Sequence, residues 1–230
     1  MQVFMQDYVD KLIKNVCSFK LEENTFSKKS DIKRFKTYLM TYPSICKYFK
    51  SIKHFSEEDF FRAVLMTYGW MPTILKLDLN SISLHKAKKI LVDIKNKDNP
   101  SYSLTEQDLK KLIGVINNSL SGATKVLHFS IPEKFPIWDT TIAKELNPSG
   151  KKNQKAYFSY LEVLKTITEK DKKALSFHVT KEIRRFLKKD KYEEVSFVRA
   201  LDILIFLHSV IKAETKETKE NHPSGVAKQS

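Results

Sequence analysis

Along most of the chain, apolar residues recur at helical rather than strand spacing. Phe4, Tyr8, Leu12 and Val16 share one face of a helix predicted over residues 4–19, and no alternating run is long enough to argue for a sheet. A second helix is predicted from Asp31 to Tyr42. It should break before Pro43, because proline lacks the backbone donor and crowds the preceding turn, with a short helix at Tyr48–Ile52. Ser56 with Asp59 predicts a capped start for "EEDFFRAVLMTYGW", and Gly69 with Pro72 its end. Leu84, Ala87, Leu91 and Ile94 form one face of the next helix, with Lys86, Lys88 and Lys89 turned largely away.

"NKDNPS" is a predicted turn, after which Ser103 with Glu106 caps a helix reaching about Asn117. "NNSLSG" predicts another turn, in which Gly122 is free to adopt a left-handed backbone. "ATKVLHFS" is then a short helix with Lys125 in its first turn. "IPEKFP" is a loop, because Pro132 and Pro136 would interrupt any helix, and Asp139 stands at the N-cap of "TTIAKEL". "NPSGKKNQ" is loop-like, and helices follow at about 153–168, 171–189 and 193–212. The predicted class is all-α: one helical domain over 1–213, divisible into lobes of about 1–103 and 104–213. A polar tail over 214–230, "ETKETKENHPSGVAKQS", is expected to be disordered for want of apolar residues.

Composition agrees with that class. Only 5 Gly and 7 Pro are too few for a sandwich or barrel with many tight turns. The amino terminus carries Asp7 and Asp10 inside its apolar pattern, unlike a signal peptide. The longest apolar run, "ALDILIFLHSVI", is interrupted by Asp202 and His208 and falls short of the roughly 18 residues of a membrane span. No membrane partner is therefore expected. Cys17 and Cys46 fit no metal-ligand spacing and make at most one disulfide, so a reducing cytoplasm is the simpler expectation. Lys and Arg total 41 against 27 acids, a formal charge of +14, which points to a polyanionic partner such as nucleic acid or anionic lipid. In the 171–189 helix, Leu175, Val179, Ile183, Phe186 and Leu187 fall together. Opposite them, Lys181, Arg184, Arg185 and Lys188 form a stripe that could follow a phosphate backbone or simply face solvent.

The candidate chemistry lies in "TKVLHFSIPEKFPIWDTT", residues 124–141, where Lys125 and Asp139 flank an apolar stretch. Charges are rarely placed among apolar residues unless paired or used. A lysine shielded from water has a lowered pKa and can act as a neutral amine nucleophile. A carboxylate fixed at a helix N-terminus can stabilise positive charge on a sugar or shuttle protons. Read blandly, Asp139 is a helix cap and Lys125 a surface lysine. Arg199 and Asp202, three apart in an apolar helix, are expected to pair with each other or a neighbour as structural residues.

"SGATKVLHFSIPEKFPIWDTTIA" resembles the helix-hairpin-helix DNA glycosylases of the 8-oxoguanine glycosylase type, most of all a compact bacterial branch with a "K-x-L-x-F … P-x-x-F-P-I-x-D" signature. "VRALDILIF" resembles that branch's closing helix. The resemblance implies a helical fold with a cleft between lobes. It also implies excision of a damaged or modified base, with abasic-site lyase activity. Lys125 takes the place of the lysine that attacks C1′, and Asp139 that of the aspartate assisting base departure. The hairpin of that superfamily carries two glycines that present N–H groups to a DNA phosphate, and here Gly122 stands alone. His128, Phe135, Trp138, Tyr68 and Trp70 are candidates for the base pocket, with core packing as the plain alternative for the first three and a routine helix end for Tyr68 and Trp70. Double-stranded DNA is the implied partner of a monomer, and no metal, iron–sulfur cluster or other cofactor is expected. The base could be an oxidised purine, implying DNA repair, or a modified base of phage DNA, implying antiviral defence. The rival functions are a non-catalytic DNA-binding protein that keeps the fold and a basic protein-interaction domain.

Overall fold

The computed structural model describes residues 1–52, 55–70, 74–78, 80–95, 103–147 and 149–220. The chain is all-α. Among the described residues ten α-helices form: α1 (Gln2–Lys14), α2 (Lys29–Ser51), α3 (Glu57–Gly69), α4 (Ser81–Lys95), α5 (Glu106–Val115), α6 (Leu120–Ser130), α7 (Thr140–Leu146), α8 (Gln154–Thr166), α9 (Glu169–Leu187) and α10 (Phe197–Glu220). The only extended pairing among those residues is an isolated antiparallel bridge between Leu77 and Ile116. No helix among them is long and apolar enough to cross a membrane.

Helix starts follow their local chemistry. Ser56 and Asp59 form the predicted capping box at α3. At α5 the box is built two residues later than expected, from Thr105 and Asp108. The face of Leu84, Ala87, Leu91 and Ile94 on α4 is buried as predicted. Helix α1 is shorter than expected and passes into a 3-10 turn at Val16–Ser18. Helix α10 continues through Glu220, past the point where disorder was expected. Pro72, the "NKDNPS" turn and residues 221–230 lie outside the described residues.

The break expected at Pro43 does not occur: α2 runs unbroken from Lys29 to Ser51. A proline at this position cannot donate to the carbonyl of Leu39, one turn back, leaving a buried acceptor unpaired. Tyr192 supplies the missing donor, its hydroxyl giving a 2.7 Å hydrogen bond to that carbonyl. Burial pushes the phenol up to about 12, so it keeps its proton at neutral pH. Tyr192→Phe is therefore expected to cost about 1–3 kcal/mol, seen as a lower denaturation midpoint at unchanged m-value. Combining Tyr192→Phe with Pro43→Ala should regain stability, because alanine in place of the proline restores the backbone donor.

Helix α6 lies against α2, α3, α4 and α5, while α10 lies against α1, α7 and α9. The loop 131–139 bridges α6 and α10, and buried apolar residues from both halves of the chain join one continuous core. Helices α5 and α6 form a hairpin whose turn takes its left-handed residues from Asn117 (φ 61°) and Asn118 (φ 47°). Asparagine tolerates that conformation better than most residues. Gly122 is instead inside α6, its N–H donating to the Ser119 hydroxyl that caps the helix. The need for glycine there is steric. A Cβ on Gly122 would sit 2.4 Å from the Tyr68 hydroxyl oxygen and 3.2 Å from Ile116, so its absence lets α3 approach α6.

Candidate active site

Lys125 and Asp139 line the same cavity, of about 170 Å³. Its walls include Tyr38 from α2, Trp70 at the end of α3, and Arg199 with Asp202 from α10. Beyond Arg34, Tyr38 and Phe206, which border both spaces, lies a groove of about 420 Å³. A hollow of about 1040 Å³, lined by Cys46, Lys95 and Glu193 among others, contains neither Lys125 nor Asp139.

Lys125 sits in the second turn of α6, later than expected, and is half-buried. Its amine lies 5.8 Å from the centre of the Trp70 indole and has no hydrogen-bond or ion-pair partner among the described residues. Burial draws its pKa below the ordinary lysine value. Asp139 opposes that shift, and the positive charges of Arg199, Lys152 and Arg34 reinforce it.

Asp139 caps α7 with one oxygen, Oδ1, which accepts from Thr141 N at 2.9 Å and Ile142 N at 3.0 Å. Its second oxygen has no hydrogen bond among the described residues. The backbone leading to it is held at three points. Asp202 accepts from Ile137 N (2.9 Å), the Thr124 hydroxyl accepts from Trp138 N (3.1 Å), and the Ser121 hydroxyl donates to Trp138 O (2.9 Å). Two helices therefore fix the carboxylate, and α6 also carries the amine.

No protein-family model, curated protein or solved structure matches the chain.

Of the five aromatic and histidine candidates for a base pocket, Trp70 alone borders this cavity. The structure corrects the other four. His128 is fully buried between the Phe135 carbonyl (2.7 Å from Nδ1) and the Tyr42 hydroxyl (2.9 Å from Nε2). Burial depresses its pKa to about 3, so it is a neutral core residue. Phe135 and Trp138 are packed in the core, Trp138 against Tyr157 and Tyr160. Tyr68 is buried against Gly122.

None of the α9 candidates lines the cavity either. Arg184 is committed to the Tyr192 carbonyl through two N–H groups, at 3.1 and 2.7 Å. Arg185 bonds Glu182 at 2.6 Å and the Leu21 carbonyl at 3.3 Å. Lys181 and Lys188 are exposed, Lys188 ending the helix with φ 53°. Gly122, buried in α6, does not present its N–H to solvent. Among the described residues no three His, Cys, Asp or Glu side chains converge as a metal set.

Arg34, Tyr38, Arg199 and Asp202 were not anticipated as site residues. For the last two a signal existed: two more charges in an apolar helix. Instead of pairing with each other, Asp202 bonds Ile137 N and the Tyr160 hydroxyl (3.4 Å), while Arg199 lies over the Tyr42 and Trp70 rings.

The buried acid and the buried histidine give the fold a defined pH profile. Burial raises the Asp202 carboxyl to about 8, so between the ordinary aspartate value and 8 the native state holds a proton the unfolded chain has lost. Its contribution is lost as pH rises toward 8. His128 acts oppositely: below its ordinary value of 6.5 the unfolded chain gains a proton the native state refuses down to about 3. The two slopes cancel between roughly pH 4 and 6.5. Stability is expected to fall from pH 6.5 to 8, by up to about 1.4 kcal/mol per unit. In Asp202→Asn that alkaline fall should disappear, as urea titrations across this range would show.

Proposed function

We propose that the chain is a DNA glycosylase with associated abasic-site lyase activity. Lys125 is the nucleophile, and Asp139 the carboxylate that stabilises charge on the sugar and moves the proton. The observation that carries this reading is the shared cavity. It holds a half-buried, unpaired amine together with a carboxylate that has one fixed oxygen and one free. The resemblance of "KVLHFSIPEKFPIWD" to the glycosylase signature supports the same assignment, as does the excess of 41 basic over 27 acidic residues for a DNA ligand.

The target nucleotide must leave the stack, because C1′ is inaccessible to a side chain within the duplex. The Lys125 amine then bonds to C1′ while the bond from C1′ to the base nitrogen breaks. Loss of a proton and opening of the sugar ring give an imine, and proton removal from C2′ eliminates the 3′ phosphate in the lyase step. Asp139 receives and returns these protons. No cofactor enters the scheme. An oxidised purine or a modified phage base would serve as the leaving group, in repair or in defence.

The test is borohydride trapping on a duplex containing an abasic site, the common product of such enzymes. The expected result is an adduct that survives denaturing electrophoresis. DNA binding without an adduct would instead favour the non-catalytic DNA-binding protein. Absence of both, with no salt-dependent affinity, would discard the catalytic and the non-catalytic DNA functions together.

A further inference from the structure

Arg199 is 8% exposed, yet its guanidinium has no hydrogen-bond acceptor and no ion-pair partner among the described residues. Its backbone N–H donates to the Ser196 hydroxyl at 3.1 Å. The guanidinium carbon lies 4.9 Å from the centre of the Tyr42 ring and 5.3 Å from that of Trp70. Aromatic faces attract a cation but accept none of its in-plane hydrogen bonds. Among the described residues neither nearby acid bonds the guanidinium, although Asp139 keeps Oδ2 free on the same cavity. Asp202 uses one oxygen on Ile137 N and the other on the Tyr160 hydroxyl, and Asp139 spends Oδ1 on the start of α7. Its donors are thus left unpaired beside a cavity that Lys125 and Arg34 also line.

We propose that Arg199 forms an anion-binding subsite of this cavity, completed by Lys125 and Arg34, and that in the reaction it receives the negative charge of the departing base. The identity of that anion rests on the glycosylase reading; the subsite itself does not. As the Lys125 amine bonds to C1′, the electron pair of the breaking C1′–N bond stays on the base nitrogen. Arg199 donates hydrogen bonds to the anionic ring, and the proton shed by the new secondary ammonium neutralises it. A guanidinium presents its donors in one plane, which suits a planar heterocyclic anion or a phosphate oxyanion.

The experiment follows thermal unfolding of the full chain, wild type and Arg199→Met, in chloride with added urate or inorganic phosphate at constant ionic strength. Wild type is expected to melt about 5 °C or more higher once urate reaches roughly 100 times its dissociation constant. Arg199→Met should bind urate at least about tenfold more weakly. Without added anion it should melt close to wild type, since methionine keeps the apolar stem and loses both the unpaired donors and the cation's attraction to the two rings. Should Arg199→Met not fold, Arg199→Lys keeps the charge without the planar fork and is also expected to bind urate more weakly. Stabilisation by phosphate alone would overturn the leaving-base assignment and assign the subsite to a phosphate group. A variant that melts lower and responds to anions like wild type would make Arg199 purely structural, and an unresponsive wild type would remove the subsite. Urate binding intact in a protein that never traps an abasic site would instead discard the glycosylase reading and leave the subsite standing.

Discussion

Lys125→Gln is expected to lower the rate of covalent capture of an abasic site by at least about a thousandfold, the scale on which removal of a nucleophile acts. Glutamine approximates the length of the lysine stem and has no amine to form the imine. The same change should leave the fold intact or slightly more stable. In wild type, burial disfavours the charged amine, and the Arg199, Lys152 and Arg34 charges add to that cost; a neutral side chain removes it. Loss of capture at an unchanged melting temperature therefore separates catalysis from folding. In wild type the capture rate should rise with pH and level off below the ordinary lysine value, because the reactive form is the neutral amine.

Asp139→Asn should be nearly as damaging, by roughly 10²–10⁴ in rate, for a different reason. Asparagine caps helices about as well as aspartate, so the bonds to Thr141 N and Ile142 N can persist. The carboxylate–dipole interaction, about 0.3–1 kcal/mol, is lost, together with the attraction to Lys125. The effect on Lys125 runs the opposite way. Asp139 holds the lysine pKa up, so the substitution lowers it further and provides more neutral amine at neutral pH. A large loss of rate in Asp139→Asn would therefore reflect the carboxylate acting on the sugar or its protons. Undiminished or faster capture would reduce Asp139 to a helix cap. Asp139→Ala, which also forfeits the cap, should cost about a further 1 kcal/mol of stability.

What was legible in the sequence was local. Ser56 with Asp59 set the start of α3, Asp139 the start of α7, and apolar spacing the buried face of α4, because each depends on residues within a turn or two of one another. Pro43 misled for the converse reason: the donor that repairs its missing hydrogen bond is Tyr192, distant in sequence and close in space. The hairpin turn looked like a task for Gly122 and is performed by Asn117 and Asn118. Gly122 answers instead to Tyr68 on another helix.

The candidate site divides along the same line. Lys125 and Asp139 stood out as charges in apolar surroundings, and they do line one cavity. Aromatic residues gave no such contrast. Phe135, Trp138 and Tyr68 are equally suited to core and cavity by composition, and tertiary packing places them in the core. Arg199 and Asp202 carried the same contrast as Lys125, but their spacing of one helical turn suggested a pair. Only the arrival of the 131–139 loop at α10 shows that Asp202 holds Ile137 N while Arg199 is left facing the cavity.

Locating the covalent bond itself decides whether Lys125 is the nucleophile. Wild-type protein is trapped with borohydride on a duplex containing an abasic site, the adduct is digested with nuclease and protease, and the modified peptide is sequenced by mass spectrometry. The reduced sugar remnant is expected on the side chain of Lys125. A remnant on the amino terminus or on any other lysine, or no remnant from protein that binds the duplex, would contradict that assignment.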